Sequence, residues 1–262
     1  MQGSGISRRT YILWALGGVF SVLVVWQACV SILHVPPLFL PSPLRVATVL
    51  QELLLSGRLI DDIFQSTYRV VTGFVASVAI GVPFGLLIAL HRRTEAFFEP
   101  MIAFLRYIPP SAFVPLFILW FGIGDLEKIL VIFISTAPYL TVMVYDVVKA
   151  VRGEFIDAAQ TLGASSRQIL LHVIIPSAAP GIWDAMRIVI GISWSFVVLA
   201  EIVAATGGLG HLIITSQRFL QTPKVIGAML VIGTLGLLTD YTFKWASRMF
   251  FPWVDRLHAH NR

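Results

Sequence analysis

Long stretches without a charged side chain constrain this chain of 262 residues more than any other feature of its sequence. A helix needs about 20 mainly apolar residues to cross about 30 Å of hydrocarbon. The first uncharged stretch, Thr10–Leu33, is long enough. Arg8 and Arg9 precede it as in a secretory signal, but it exceeds the usual apolar region of about 7–15 residues, and no small-residue cleavage site follows. We therefore predict a retained N-terminal span over residues 10–33.

Five further charge-poor stretches predict an all-α, polytopic membrane protein with six transmembrane helices. The sequence is 57% hydrophobic and only 13% charged, whereas a soluble domain carries about 25% charged residues. One compact soluble core of this length could not bury so many apolar residues. We expect one transmembrane domain, 1–262, with a five-span core at 66–245. The five stretches are Val70–Leu90, Tyr107–Gly124, Ile129–Tyr145, Ile188–Ala200 continuing to about Ala205, and Val225–Thr239 extending to about Trp245.

The basic residues between the spans predict the orientation of the chain. With the N-terminus inside, the cytoplasmic side collects most of the lysines and arginines, as the positive-inside rule requires. An even number of spans then gives an N-in, C-in topology. The net charge of +5 is therefore a topology signal, and no basic cluster with interleaved aromatics indicates nucleic acid. The inner set is Arg8, Arg9, Arg92, Arg93, Lys149, Arg152, Arg167, Arg187, Lys244, Arg248, Arg256 and Arg262, and the outer set is Arg45, Arg58, Lys128, Arg218 and Lys224.

Two of the shorter connections also have a predicted form. Pro36 to about Ser66 is expected to be a long outer segment that contains a short amphipathic helix, Val46–Leu55, ended at Gly57. Arg92–Pro100 is expected to be a short basic turn on the cytoplasmic side.

The longest inner connection, residues 149–180, has a pattern of a helix, a glycine and a second helix. Phe155 and Leu162 give the first helix an apolar face that so small a connection cannot fully bury. Gly163 follows the expected helix end, where glycine readily adopts a positive φ. The residues alone leave two interpretations open: the helix docks into a partner's groove, or it is an ordinary connection between spans.

The second half of this connection is predicted to form its own helix. Ser165 followed three residues later by Gln168 is a capping-box pattern, which starts a helix at once. Pro176 is expected to bend the chain back toward the membrane, because proline disrupts the helix that precedes it.

This connection closely resembles the EAA loop of binding-protein-dependent ABC importer permeases, which reads Glu-Ala-Ala, three residues, Gly, nine residues, Ile-x-Leu-Pro. The spacing is matched throughout, with Asp in place of Glu, Val in place of Ile and Ile in place of Leu. The loop also lies on the cytoplasmic side, where this family requires it. The matching positions are Asp157, Ala158, Ala159, Gly163, Val173, Ile175 and Pro176.

Other segments extend the resemblance to nearly the whole chain and to one branch of the family, the nitrate, sulfonate, taurine and bicarbonate permeases. Pro109-Pro110 and Trp120–Gly124 resemble the taurine and alkanesulfonate members more closely than the nitrate members. The resembling segments are Phe39–Pro43, Ser66–Phe74, Ile108–Leu116, Trp120–Gly124, Ala200-Glu201 and Gly207–Gly210.

The resemblance implies a type I ABC importer permease that moves a small anionic solute across a bacterial inner membrane by alternating access. Sulfonate or taurine ranks first, and nitrate or bicarbonate next. The implied partners are two cytoplasmic ATPase subunits, a second permease copy in a homodimer, and a periplasmic or tethered solute-binding protein. The sequence contains no Gly-x4-Gly-Lys-Ser/Thr, so ATP and Mg would be bound by the partner ATPase; this chain is expected to hold no cofactor and no catalytic site. The implied coupling residues are Glu154, Phe155, Asp157, Ala158, Ala159, Leu162, Gly163 and Arg167.

Residues that interrupt the apolar spans are candidates for the solute pathway or for a gate. Glu201, near the outer end of the fifth span, either serves the pathway or pairs with an arginine such as Arg69. Arg106 either attracts an anion or extends to the inner interface. Prolines in the third span kink a helix beside the pathway or only affect packing, and the glycine-rich segment after Glu201 is expected to turn the chain back into the membrane as an outer gate. The candidates are Arg106, Pro109, Pro110, Glu201, Gly208 and Gly210.

Small residues recur at every fourth position of the second span, which predicts close packing against another helix rather than solute contact. They are Gly73, Ser77, Gly81, Gly85 and Ala89. Neither the single cysteine, Cys29, nor the histidines show metal-ligand spacing, and we expect no metal site.

Two other function classes were compared with the importer permease. An autonomous secondary transporter or channel would be expected to show an internal repeat, two broken spans or midplane ionisable groups, and none is convincing in the sequence. A membrane-embedded enzyme would need a catalytic constellation, whereas Asp61-Asp62 is an isolated acidic pair.

Overall fold

The computed structural model of the chain describes residues 8–253, and every regular element in that range is helical. This confirms the all-α class. Arg256 and Arg262, which enter the predicted orientation, lie outside the described residues. In chain order the α-helices are α1 Arg8–Ile32, α2 Pro43–Leu55, α3 Arg58–Leu90, α4 Arg92–Tyr107, α5 Phe113–Phe121, α6 Asp125–Lys149, α7 Gly153–Thr161, α8 Ser166–Ile169, α9 Ile175–Ala204, α10 Leu209–Arg218 and α11 Thr222–Phe250.

Four of these stretches are long and apolar enough to cross a membrane: α3, α6, α11 and the stretch Ser166–Val203 that contains α8 and most of α9. A fifth arises if α4 and the segment Pro110–Phe121 count as one span, since the two are bent by 82° at a short break. In α1 the apolar part, Leu16–Ile32, is shorter. The chain is therefore a multi-pass membrane protein, while the count of six spans and the N-in, C-in topology stay predictions.

The chain divides into two compact units, and the first comprises residues 8–60 and 212–230 of the described range. Ser42 caps α2 by accepting a hydrogen bond from the Arg45 N–H at 3.3 Å, and the following Pro43 suits the first turn of a helix. The helix ends at Leu55, and Gly57 has a φ of +76°. The amphipathic helix predicted here is thus confirmed, with an earlier start. The side chains it buries are Val46, Val49 and Leu53.

The second unit comprises residues 61–211 and 231–253 of the described range, and its core lies among α3, α6, α9 and the second half of α11. Apolar side chains on these helices form one buried cluster that includes Val70, Leu140, Val144, Val189 and Trp194. The division of the chain into a span at 10–33, a core at 66–245 and a loop at 149–180 stays a prediction.

The small-residue strip of α3 faces α6, as predicted. A Cβ added at Gly73 would lie 2.8 Å from Cγ2 of Ile132, and one added at Gly85 would lie 2.6 Å from the carbonyl oxygen of Thr141. Between these positions Ser77 Oγ and Thr136 Oγ1 are hydrogen-bonded at 2.7 Å. The two helix backbones approach so closely that side chains larger than hydrogen have no room at the glycines.

Replacement of Gly85 by alanine is expected to destabilise the folded chain by about 1–3 kcal/mol, because the added methyl group meets backbone atoms of α6 that cannot move aside. Gly191→Ala is the matched control, since a Cβ at Gly191 of α9 would meet nothing within 4 Å. Thermal unfolding of the detergent-solubilised chain, followed by fluorescence-detected size exclusion, measures both. Equal melting of the two variants would contradict the close contact of α3 with α6.

The third predicted span is not one kinked helix, and the expected turn at Arg92–Pro100 is wrong. Those residues lie in α4, and the chain breaks after Tyr107 instead. Ile108 and Pro109 are extended, with ψ angles of 122° and 127°. A residue before proline avoids the helical region, and consecutive prolines impose this restriction twice. The pair Pro109-Pro110 therefore breaks the helix rather than kinking it.

The bend expected at Pro176 is also absent, because the helical path runs on from Ser166 to Val203. Residues Leu170–Ile174 form a π-helical turn, in which the Ile175 N–H donates to the Leu170 carbonyl five residues earlier. This wider turn accommodates the proline ring and its missing N–H at the start of α9. The predicted outer segment Pro36–Ser66 is likewise shorter than expected, since α3 already begins at Arg58.

Candidate functional site

The predicted coupling residues lie on α7 and in the turn that follows it. None of the residues of α7 is buried, and Phe155 is 50% exposed. Leu162, just after the helix, is 88% exposed. Glu154, Asp157 and Ala158 are exposed on the same short helix, Ala159 is partly buried, and the exposed Arg167 lies on α8.

The turn after α7 has the geometry that its sequence predicts. Gly163 has a φ of +79°, its N–H donates to the Gln160 carbonyl, and the Ala164 N–H donates to the Ala159 carbonyl. These two bonds form a Schellman motif, which closes the carbonyl end of a helix. The predicted capping box is also present, because Ser165 and Gln168 exchange hydrogen bonds at the start of α8. The Schellman motif and the capping box thus end α7 before α8 begins, and α7 is a separate short helix, none of whose apolar side chains is buried.

A second candidate site is a buried ion-pair network around Arg69 of α3. Its Nη1 donates to Glu201 Oε1 of α9 at 2.7 Å and to the Gly207 carbonyl at 2.8 Å. Its Nε donates to Asp125 Oδ1, at the start of α6, at 2.7 Å. Arg69 is 4% exposed and Glu201 is fully buried, whereas Asp125 is half exposed. One guanidinium group therefore joins three segments of the chain. Of the two interpretations of Glu201 that the sequence left open, the structure shows the pairing with Arg69.

Glu201 also holds the start of α10. Its Oε2 accepts the Gly210 N–H at 2.7 Å, and both of its oxygens accept from the Ser66 hydroxyl, at 2.8 and 3.0 Å. The same hydroxyl accepts the Leu209 N–H at 2.9 Å. The carboxylate therefore satisfies one N–H group at a helix N-terminus directly, and the Ser66 hydroxyl that it binds satisfies another. A negative charge is favourable at this end of a helix. With these partners, Glu201 has a structural role in this conformation.

The glycines of the segment between α9 and α10 are required by this network. Gly208 has a φ of +111°, and a Cβ there would lie 2.5 Å from Glu201 Oε1. A Cβ on Gly210 would lie 2.7 Å from the Glu201 Cβ. The Gly208 N–H donates to Asp62 Oδ1 at 2.8 Å. The segment packs directly over the buried carboxylate, which leaves no room for a side chain at Gly208 or Gly210.

Arg106 lies elsewhere, on the last turn of α4. Its guanidinium group sits 5.0 Å from the centre of the Tyr139 ring of α6, a favourable cation–π contact. It also lines a cavity of about 160 Å³ between α3, α4 and α6. Pro109 and Pro110 lie at the break that follows α4. The six predicted pathway candidates therefore fall into two groups, one around Arg106 and the proline break and the other around Glu201.

Several residues of these sites escaped the sequence reasoning. Asp62, interpreted as part of an isolated acidic pair, accepts a hydrogen bond from the Gly208 N–H. Asp125 pairs with Arg69. Glu127 and Lys128 are both buried and pair with each other at 2.6 Å. A signal was available for α3, because Asp62, Ser66 and Arg69 follow the spacing of one helix face.

Comparison with known proteins decides the family. Residues 81–256 match the family described as binding-protein-dependent transport system inner membrane component. The chain belongs to this family. It is therefore a permease subunit of an ABC importer and a multi-pass inner membrane protein, and membership implies a partner ATPase and a solute-binding protein.

Relatives of this permease include the taurine transport system permease protein of Escherichia coli, 33% identical over 95% of this chain and 91% of that protein. The bicarbonate transport system permease protein of Synechococcus elongatus is 32% identical over 94% and 90%. Among solved structures, an inward-facing conformation of the MetNI methionine ABC transporter matches with a TM-score of 0.66 at 20% identity, over 74% of this chain and 97% of that one. This structure supports the type I importer permease fold.

Proposed function

We propose that this permease imports a small anionic solute, with sulfonates such as taurine as the first class and bicarbonate or nitrate as the next. The relatives named for taurine and bicarbonate align with nearly the whole chain, which supports the class of small anions. The segments Pro109-Pro110 and Trp120–Gly124 resemble taurine and alkanesulfonate permeases, which supports sulfonates. Arg106 beside a cavity supplies a cation suited to such a solute.

The observation that carries the importer mechanism is the exposure of α7. The nine-residue helix α7 has no buried residue, and Phe155 on it and Leu162 just after it are exposed, so the helix is not stabilised by a core of this chain. An amphipathic helix of this kind fits a groove on a partner. In this proposal α7 docks into a cytoplasmic ATPase subunit through the coupling residues Glu154, Phe155, Asp157, Ala158, Ala159, Leu162, Gly163 and Arg167.

The complete importer would contain two copies of this chain, two ATPase subunits and a solute-binding protein. ATP and Mg are bound by the ATPase subunits, whose closure moves both copies of α7 and switches the permease between inward- and outward-facing states. In this proposal the glycine segment 207–210 forms the outer gate, and Glu201 anchors it from below rather than contacting the solute.

Reconstitution of the importer tests this function. The permease, its ATPase and its solute-binding protein are placed in proteoliposomes, and uptake of radiolabelled taurine is measured with and without ATP. We expect uptake that needs ATP and both partners and that ethanesulfonate inhibits more strongly than nitrate or bicarbonate. Uptake by the permease alone without ATP would overturn the mechanism, and inhibition by bicarbonate but not by sulfonates would overturn the solute class.

A further inference from the structure

The cavity beside Arg106 is lined by charged side chains of both signs. Glu99 and Arg106 come from α4, and Asp146 comes from α6. Ile88 and Ile102 supply apolar wall between them. All three charged side chains are exposed rather than buried. Their presence distinguishes this cavity from an empty packing defect between helices, which is lined by apolar atoms alone.

The three charged groups have no ionic partner among residues 8–253: the ion pairs and side-chain hydrogen bonds of that range include none of them. One turn earlier on α4 the situation is different, because Glu95 pairs with Lys149 at 2.8 Å and accepts a hydrogen bond from the Tyr145 hydroxyl. Glu95 and Lys149 thus form an ion pair between α4 and α6. One turn further along α4, at the cavity, one cation and two carboxylates are free to bind a ligand.

The size of the cavity restricts what could use these charges. An engineered cavity of about 150 Å³ holds benzene, with its six heavy atoms. The volume here, about 160 Å³, therefore suits a solute of about six or seven heavy atoms. A two-carbon aminosulfonate has about seven, whereas nitrate and bicarbonate have about four each and would leave much of the space empty.

We propose that this cavity, named the zwitterion cavity, binds a short solute that carries a sulfonate at one end and a primary ammonium at the other. This inference rests on the proposed function and narrows its solute class. Arg106 donates to the sulfonate oxygens through its planar guanidinium group, which the contact with Tyr139 orients. Glu99 and Asp146 accept from the ammonium, and the isoleucines contact the methylene groups.

The same arrangement selects against simple anions. A solute with a negative charge and no ammonium could still contact Arg106, but it would leave both carboxylates without a cationic partner and would be repelled by them, which provides specificity. The cavity therefore prefers taurine to ethanesulfonate, which differs from it only by lacking the amino group.

Direct binding to the full chain in lipid nanodiscs, without its solute-binding protein, tests the zwitterion cavity. Saturation-transfer NMR with taurine, ethanesulfonate and bicarbonate gives the three affinities. We expect taurine to bind at least about tenfold more tightly than ethanesulfonate, the gain given by charge-assisted hydrogen bonds. Arg106→Gln should weaken both sulfonates at least about tenfold, while Arg106→Lys, which retains the charge, should weaken them less.

The role of the two carboxylates is tested by the preference for taurine over ethanesulfonate, not only by the affinity for either solute. Asp146→Asn combined with Glu99→Gln should abolish the preference for taurine while ethanesulfonate still binds. Arg93→Gln, an exposed arginine of α4 outside the cavity, is the matched control and should bind as the unmodified chain does. Binding of taurine that neither the Arg106 nor the Asp146 and Glu99 variants alter would overturn the inference.

Uptake by the complete importer distinguishes failure of the zwitterion cavity from failure of the proposed import of sulfonates. If the importer takes up taurine with ATP but the nanodisc chain shows no preference for taurine, only the zwitterion cavity is wrong. If the importer takes up no sulfonate at all, the proposed function itself fails.

Discussion

Replacement of Arg69 by methionine is expected to destabilise the folded chain by about 3–5 kcal/mol, because it leaves the buried carboxylate of Glu201 without its counter-ion. Glu201 is fully buried and lies 2.7 Å from the guanidinium group, so water cannot replace the lost partner. Unfolding of the detergent-solubilised chain by increasing sodium dodecyl sulfate, followed by tryptophan fluorescence, measures the change.

Two further variants show whether the effect comes from the uncompensated charge. Adding Glu201→Gln to Arg69→Met should recover part of the loss, because the neutral amide oxygen still accepts the Gly210 N–H. Arg187→Met removes an arginine whose pairs with Asp184 and Asp240 are longer, at 3.6 and 3.5 Å, and more exposed. This control should cost no more than about 1 kcal/mol. Equal losses for Arg69→Met and Arg187→Met would contradict the role of the network.

Replacement of Gly163 by valine is expected to lower ATP-driven uptake at least about tenfold, because a β-branched residue is strained at a φ of +79°. A Cβ at this position would meet nothing within 4 Å, so the substitution acts on the backbone of the turn and not on packing. The altered turn would reorient α7 relative to the ATPase that it contacts in our proposal. Uptake by the reconstituted importer, measured together with its ATP hydrolysis, separates loss of coupling from loss of assembly.

Gly153, the first residue of α7, provides a matched control for Gly163, which follows the other end of the helix. Gly153 also has open space around its Cβ position, but its φ lies outside the range of positive values that disfavour side chains. Gly153→Ala should therefore transport at the normal rate. Gly163→Asn should lie between the two variants, since asparagine tolerates a positive φ better than valine. Normal uptake by Gly163→Val would count against α7 as the coupling helix.

Features set by neighbouring residues were predictable from the sequence. The turn at Gly163, the capping box at Ser165 and the amphipathic helix α2 depend on chemistry within a few positions, and the structure has all three. The small-residue strip of α3 also packs as predicted, because helical periodicity alone brings its members to one face.

Features that depend on distant partners were not predictable in the same way. Charged residues at the start of α3 suggested a loop, and Asp125, which pairs with Arg69 from 56 positions away, was not anticipated. The pairing of Arg69 with Glu201 was one of two alternatives that the sequence alone left open. In the zwitterion cavity Glu99 and Arg106 share helix α4, but Asp146 lies 40 positions after Arg106, and only the packing of α4 against α6 brings it to the cavity. The proline break was misjudged as a kink because two consecutive prolines restrict the backbone more than one does.

The absence of a bend at Pro176 has a mechanical consequence. Because the helical path from Ser166 to Val203 is continuous over 38 residues, it forms a rod about 55 Å long at a rise of about 1.5 Å per residue. One end of this rod adjoins the turn after α7, and Glu201 lies near the other. A small rotation of the rod at the ATPase end would therefore displace Glu201, and the loop that it anchors, as a lever does. The π-helical turn at Leu170–Ile174 and the proline inside α9, Pro180, are the places where this rod departs from regular α-helical hydrogen bonding.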